Sequence, residues 1–516
     1  MYRYILLFVF ILSLLSCSGV RYPDRMESVF SQAGENTSEL RKAYDYFYAQ
    51  EDTLKLDALE FLLSHIQNHS YVQVALFDTT GTEIPFHPLD YANLDSVSVA
   101  AKRLSDEHGP LRWQTKQRIE DIETMTADIL IETIEYSFTA WEEKPWAEEM
   151  PYEIVRNYIV PYRGSNEPIE SWRPYFYEKY KNLENRMEEP TDLIEATRLI
   201  NEDLKSWFSF DSRFYYHPTD QGLSDMLERK MGRCEDMTNL TMYAMRANAL
   251  PVTSDYTPHW ADTGNNHAWN ALILPEGGAI PFMGCEAHPL EYSLRPVIAK
   301  AYRKIFHENP ENLAFLLEED EKAPAWLSGK NYLDVTTDYT PVTDISLALE
   351  HELADSVRFA YISVFNAGQW RPIHWGEIEN GKVTFDKMGV NILYLPTFYH
   401  NEELIPSTDP ILVDEHGNWE HIELAGSQTT LKLISVTRKK IEEATEAKEI
   451  TFLTPGIEYE LFYWQDEWES LGVQTATDEP MIWEDVPAGA LYWLIEKDEG
   501  REERIFTYED DKQIWW

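Results

Sequence analysis

Hydrophobic spacing divides the chain into three stretches. From residue 25 to about 230, apolar residues recur at three- and four-residue intervals with charges between them, as in "ELRKAYDYFYAQEDTLKLDALEFLLSHI" and "DLIEATRLINEDLKSWF". That spacing predicts amphipathic helices. Pro161 interrupts "YEIVRNYIVPYRGSNEPIESWRPYFYEKY", so a helix should stop just before it. From about 195 to 300 helical and strand-like patterns mix. From about 332 onward the runs are short, β-branched and aromatic, with partial alternation: "SVRFAYISVF", "KVTFDKMGVNILYLP", "TLKLISVT", "EYELFYWQ" and "ALYWLIEK". Asn380-Gly381 predicts a tight hairpin and "DEHGNW" another turn. There is no fixed-period repeat and no low-complexity linker. The expected architecture is α+β and multidomain: a helical region over 18–194, an α+β core with trailing helices over 195–331, and antiparallel β-sandwiches over 332–427 and 428–516.

The N-terminus changes the cellular picture. "MYRYILLFVFILSLLSCSGV" has Arg3 ahead of an apolar run from Ile5 to Leu15, the layout of an export signal and too short for a membrane span. "LLSC" at 14–17 resembles the lipobox of bacterial lipoproteins. The resemblance implies a lipoprotein signal over 1–17, acyl chains on Cys17 and a lipid-anchored protein of the bacterial cell envelope. The following "SGVRY" lacks an acidic run resembling a surface-export signal, which points to a periplasm-facing protein.

Charge narrows the partners. With 44 Lys+Arg against 90 Asp+Glu, the formal net charge is −46. Such a field repels phosphate backbones and anionic head groups, so nucleic acid is excluded and membrane contact should come from lipid on Cys17. Three cysteines form no disulfide framework. With Cys17 given to lipid, Cys234 and Cys285 remain as free thiols, at least one of them expected to be reactive.

"GRCEDMTNLTMYAMRANALPV" (232–252) places Cys234 in the first turn of a predicted helix whose Met237, Leu240, Thr241 and Ala244 share one stripe and which Pro251 ends. Unpaired N–H groups and the helix dipole there favour a thiolate and an oxyanion. Gly232 should allow close approach to the sulfur. Glu235 and Asp236 read as first-turn acids complementing the dipole. Thirty-three residues after the cysteine, "GNNHAWNALIL" opens a strand with His267, whose face Trp269, Ala271 and Ile273 share. "PEGG" turns the chain into "AIPFMGCEAHP", where Glu286 is the one carboxylate of the expected partner strand. A thiol, an imidazole base and an orienting acid on adjacent elements form a nucleophilic constellation. Asp255 and Asp262 precede the histidine on connecting segments, and His217, His259 and His288 lack metal-ligand spacing. Arg156, Arg163 and Arg173 read as structural ion-pair partners.

Gly-x-Cys opening a helix, "RANALP" at 246–251 and "HAW" at 267–269 resemble the transglutaminase-like superfamily, a papain-related fold, over about 195–300. The resemblance implies Cys234 as nucleophile, His267 as base and Glu286 as orienter, with Trp260 and Trp269 lining the substrate cleft. The family's acid is commonly Asp in a Trp-x-x-x-Asp setting, where this chain has "AIPFMGCE"; Arg233 replaces the Gln common before the nucleophile of tissue enzymes and points away from true transglutaminase chemistry. The implied activity is cysteine-dependent hydrolysis or acyl transfer on amide bonds of a peptide, protein or glycopeptide, with no metal and no cofactor. The alternative is a catalytically silent relative whose aromatic-rich β-domains, in a chain with 17 Trp and 30 Tyr, bind glycan or protein.

Overall fold

The computed structural model describes residues 22–516 apart from 296, 320, 350–356, 439–450 and 498–502. The export signal and Cys17 lie outside the described residues. The chain forms a helical N-terminal region, an α/β core and C-terminal antiparallel sheets.

Three helices, Asp24–Gln32, Thr37–Gln50 and Thr53–His65, pack with Ala127–Glu143 through their apolar stripes. Met26, Phe30, Leu40, Phe47, Leu59 and Leu130 are buried between them. Asp52 caps its helix by accepting from the Leu54 and Lys55 amides, and Thr126 caps by accepting from that of Ile129. The region also holds an antiparallel pair, Ser70–Phe77 with Arg112–Glu120, around the helix Leu94–His108. The second strand, "RWQTKQRIE", has no apolar alternation and is mostly exposed, so its spacing gave no signal. Before Pro161, Tyr152–Ile154 runs into a π turn, Val155–Ile159.

The arginines of this stretch hold structure together. Arg163 forks onto buried Asp121. Arg173 donates to the carbonyls of Ile159, Val160 and Pro161, which that π turn leaves unpaired. Arg156 lies 3.6 Å from Asp57. Trp146 donates to Asn248 O, and Trp172 stacks on Tyr243 at 4.9 Å. One apolar cluster thus runs from Met26 through the N-terminal helices to Val335.

The core sheet is antiparallel, ordered edge to edge as Ala279–Phe282, His267–Ile273, Val252–Thr257, Tyr302–Lys304 and Tyr332–Asp334. The helix Cys234–Arg246 packs on its two central strands. Every residue from Asp236 to Arg246 is buried, so this is a central helix and not one with a single apolar stripe. Several of its polar groups are matched by partners: Asn270 Nδ2 donates to Thr238 O, and Arg246 Nε to Val252 O, whereas the buried Asn239 amide has no hydrogen-bond partner among the described residues.

Beyond residue 340 two β units follow. The first sheet has eight strands, with Val342–Ala348 at one edge and Trp419–His421 at the other; its hairpin turns at Asn380-Gly381, both at positive φ. The second unit joins a five-stranded sheet to the pair Gln428–Leu433 and Met481–Pro487 around Leu431, Tyr459, Leu461 and Trp483. Phe365, Leu393, Trp464 and Leu491 pack the two units together.

Candidate active site

Cys234 is the first residue of its helix. Asp236 fixes the turn, its carboxylate accepting from the Arg233 amide at 3.0 Å and the Gln221 amide at 2.8 Å. Gly232 is required for space and not for positive φ: a Cβ there would stand 2.5 Å from Asp236 Cβ and 2.7 Å from its Oδ2.

The sulfur donates to Glu235 Oε2 at 3.0 Å and accepts the backbone N–H of Ala268. That amide directly follows His267, so strand and helix meet at the thiol. Burial pushes the Cys234 thiol up to about 12, and the adjacent Glu235 charge and hydrogen bond push the same way. The Ala268 N–H and Arg233 act against them and are outweighed. The lowered thiol pKa expected of a helix N-terminus is therefore not realised in this arrangement, because burial, and after it the Glu235 carboxylate, disfavours the thiolate. Arg233 spans Asp220 at 2.7 Å and Glu235 at 3.4 Å.

His267 opens its strand opposite Thr257. Its ring stacks on Trp260 at 5.9 Å and lies 6.0 Å from Trp269. Nε2 is 2.8 Å from the Tyr292 hydroxyl, a group 25 residues further on. Burial lowers the imidazole pKa, and the Glu235 charge partly offsets this. Burial also raises the Tyr292 phenol, with the charges of Glu286 and Cys234 adding to it, so the hydroxyl stays protonated.

The structure brings the Cys234 sulfur to the amide of Ala268, the residue after His267, and no hydrogen bond links Glu286 to the imidazole among the described residues. Its partner strand ends at Phe282, and Glu286 is an exposed turn residue before Ala287. Its charge reaches the imidazole's partner Tyr292, and the hydrogen bond on Nε2 belongs to the tyrosine. Trp269 is 0% exposed and packs edge-on against Tyr339 at 5.1 Å, so it offers no face to a substrate. Trp260 is also buried and serves as a backing for the histidine. Cys285 is free, buried at positive φ, and lies 3.8 Å from Thr241 Oγ1; Cys234 is free as well.

Tyr292 is a site residue that the sequence does not single out, and Glu235 has a role at the thiol beyond that of a first-turn acid. Glu235 was adjacent to the cysteine and was assigned only to the helix dipole. Tyr292 sits in a segment without regular structure and carries no periodic signal. Two further aromatics stand open to solvent: Tyr215, 60% exposed, and Phe210, 42% exposed, with ring centroids 5.6 Å apart. Burial raises the Tyr215 phenol, and the Cys234 and Glu235 charges add to it.

Among the described residues, one group of ligand-type side chains converges, Asp334, His374 and Asp386. Lys300 already supplies a cation there, its Nζ 2.5 Å from Asp334 Oδ2 and 2.8 Å from Asp386 O.

Residues 181–282 match the family model of the transglutaminase-like superfamily. The match spans about a fifth of the chain, contains both Cys234 and His267, and stops before Glu286 and Tyr292. No curated protein matches the chain.

Proposed function

We propose that the chain is a cysteine-dependent enzyme acting on amide bonds of a peptide, protein or glycopeptide. The observation that carries this reading is the meeting of a helix-first thiol with the Ala268 amide, next to a histidine whose Nε2 is held by Tyr292. In the reaction the thiol proton passes to the imidazole as the C–S bond forms. The amide C–N bond then breaks and the imidazolium returns the proton to the leaving amine. Water attacks the thioester, gives its proton to the imidazole and restores the thiol. Tyr292, a neutral phenol, orients the ring where an acid was expected; Glu286 would act only through it. Cys17 would anchor the protein to a bacterial envelope membrane, facing the periplasm.

A second reading has its own observation. The thiol donates to Glu235 and is pushed up to about 12, as in a relative that has lost catalysis and keeps the fold for binding glycan or protein. Profiling against peptide, glycopeptide and amine-acceptor libraries separates the two. Product formed by the parent and abolished in Cys234→Ala and His267→Ala supports the enzyme. Identical profiles for parent and Cys234→Ala would leave only the binding reading.

A further inference from the structure

The segment from Trp260 to Asn265, which delivers His267 to the site, has no regular structure. It makes few bonds of its own: Trp260 N to Asn265 O at 3.3 Å, Ala261 N to Val297 O at 3.1 Å, and Val297 N to Asp262 Oδ1 at 2.8 Å. Trp260 and Ala261 are buried and residues 262–264 half-buried, so carbonyls here that lack ready access to water need donors from elsewhere. They find them in the C-terminal β units. Asn366, the last residue of the strand Phe359–Asn366, is buried and directs Nδ2 at Trp260 O (3.0 Å), Thr263 O (2.8 Å) and Asn265 O (2.9 Å). Its hairpin tip seats on the loop: a Cβ on Gly264 would lie 3.8 Å from Ala367 Cβ. Arg504, from the second β unit, donates through Nη2 to Ala261 O (2.5 Å), through Nη1 to Phe365 O (2.7 Å) and through Nε to Trp516 O (2.8 Å). Four carbonyls of the loop, from two β units, are thus held by two side chains lying more than 100 residues away.

We infer that Asn366 and Arg504 are positioning residues for His267, so that the thiol chemistry of the core depends on both C-terminal β units. The inference rests on the reading that Cys234 and His267 act together. The stack on Trp260 transmits the clamp, since Asn366 holds that tryptophan's carbonyl while its ring backs the imidazole. An amide suits the role because two N–H groups serve three oxygens without bringing a charge. The guanidinium of Arg504 accepts the cost of burial because carbonyls take up all three of its nitrogens.

The test uses the full chain and a readout independent of turnover: deuterium exchange at the imidazole C2–H, followed histidine by histidine by mass spectrometry across pH. Asn366→Leu keeps the branched shape of the side chain and removes the donors. Its His267 titration midpoint should rise toward the ordinary histidine value as the ring gains water, and its exchange half-time should shorten at least threefold. His374, buried elsewhere, should not move. Leu431→Ala, in the core of the last unit, controls for lost stability and should leave His267 as in the parent. An Asn366→Leu protein that melts earlier while its His267 midpoint and half-time match the parent would overturn the inference. Should that variant not fold, Arg504→Gln asks the same question through Ala261, with a smaller shift in the same direction expected and no shift overturning it. Alkylation of Cys234 in parent and His267→Ala is run alongside. Equal rates there would sink the proposed enzyme and leave the His267 titration to decide the clamp.

Discussion

Glu235→Gln should make Cys234 more reactive, not less. The carboxylate accepts the thiol proton at 3.0 Å and is 23% exposed, so its charge is partly screened. Two unit charges about 4 Å apart interact by about 4 kcal/mol at an effective dielectric near 20. Discounting for solvent leaves about 1.5–3 kcal/mol favouring the protonated thiol, or about one to two pKa units at 1.36 kcal/mol each. Glutamine keeps an acceptor and removes the charge. At pH 7.5 the thiolate fraction therefore rises about 10- to 100-fold. Thiolate nucleophilicity falls as pKa falls, with a Brønsted slope of about 0.4–0.5. The observed alkylation rate should accordingly rise about 3- to 16-fold. The assay is iodoacetamide labelling across pH with mass-spectrometric readout, Cys285 serving as the internal reference because it lies against Thr241, away from Glu235. A rate that stays level or falls would refute the reasoning and make Glu235 the group that removes the thiol proton.

Tyr292→Phe strands the ring nitrogen it now meets at 2.8 Å. Alkylation or turnover should drop about tenfold, matching ~1–2 kcal/mol for a buried group left unpaired; an unchanged rate would show that His267 needs no orienter. Gly232→Ala forces a Cβ to 2.5 Å from Asp236 Cβ, and thermal melts should register a loss of about 1–3 kcal/mol; an unaltered melt would mean the turn has slack. Burial holds His69 at about 3 and His65, His259 and His374 at about 4, all below their ordinary 6.5. The unfolded chain then binds more protons, so stability falls as pH drops from 6.5 toward 4, and urea midpoints that stay flat across that window would contradict it. Glu235 puts a carboxylate in contact with the thiol, so cationic methanethiosulfonate should label Cys234 faster than the anionic reagent of the same size; the reverse order would remove charge as a selector there.

What could be read from the chain follows how far each signal travels. Cys234 and His267 belong to local patterns, a helix start and a strand start, and residues 181–282 match the superfamily's model across both. The Asn380-Gly381 hairpin is local too, because two positive-φ residues in sequence nearly define the turn. The partner strand expected to carry Glu286 stops at Phe282, so the acid does not sit on it. Met283 and Ala287 form only a bridge there, and Cys285 at positive φ turns the chain before Glu286. Tyr292 could not be found by pattern, since its partner is chosen by tertiary placement alone. The thiol's ionisation was judged from the helix dipole, a contribution of under about 1 kcal/mol at most sites. A neighbouring carboxylate in contact with the sulfur, together with burial, outweighs that.

The same distinction explains why the β units look like appendages in sequence and not in space. No residue near 366 or 504 carries a catalytic pattern, and the match to the superfamily ends at 282. Yet the loop before His267 exposes carbonyls that its own short span cannot pair, and a loop with so few internal bonds would sample many positions. Holding an imidazole within reach of a thiol demands placement to about half an ångström, which rigid elements provide better than loops. The chain meets that demand by ending a fully buried strand at Asn366 and by closing its last turn on Arg504 and Trp516. Order in the site is thus supplied from outside the segment that contains its chemistry. On that logic, a fragment cut before the β units keeps the Cys-His pattern and loses the donors that make it a site.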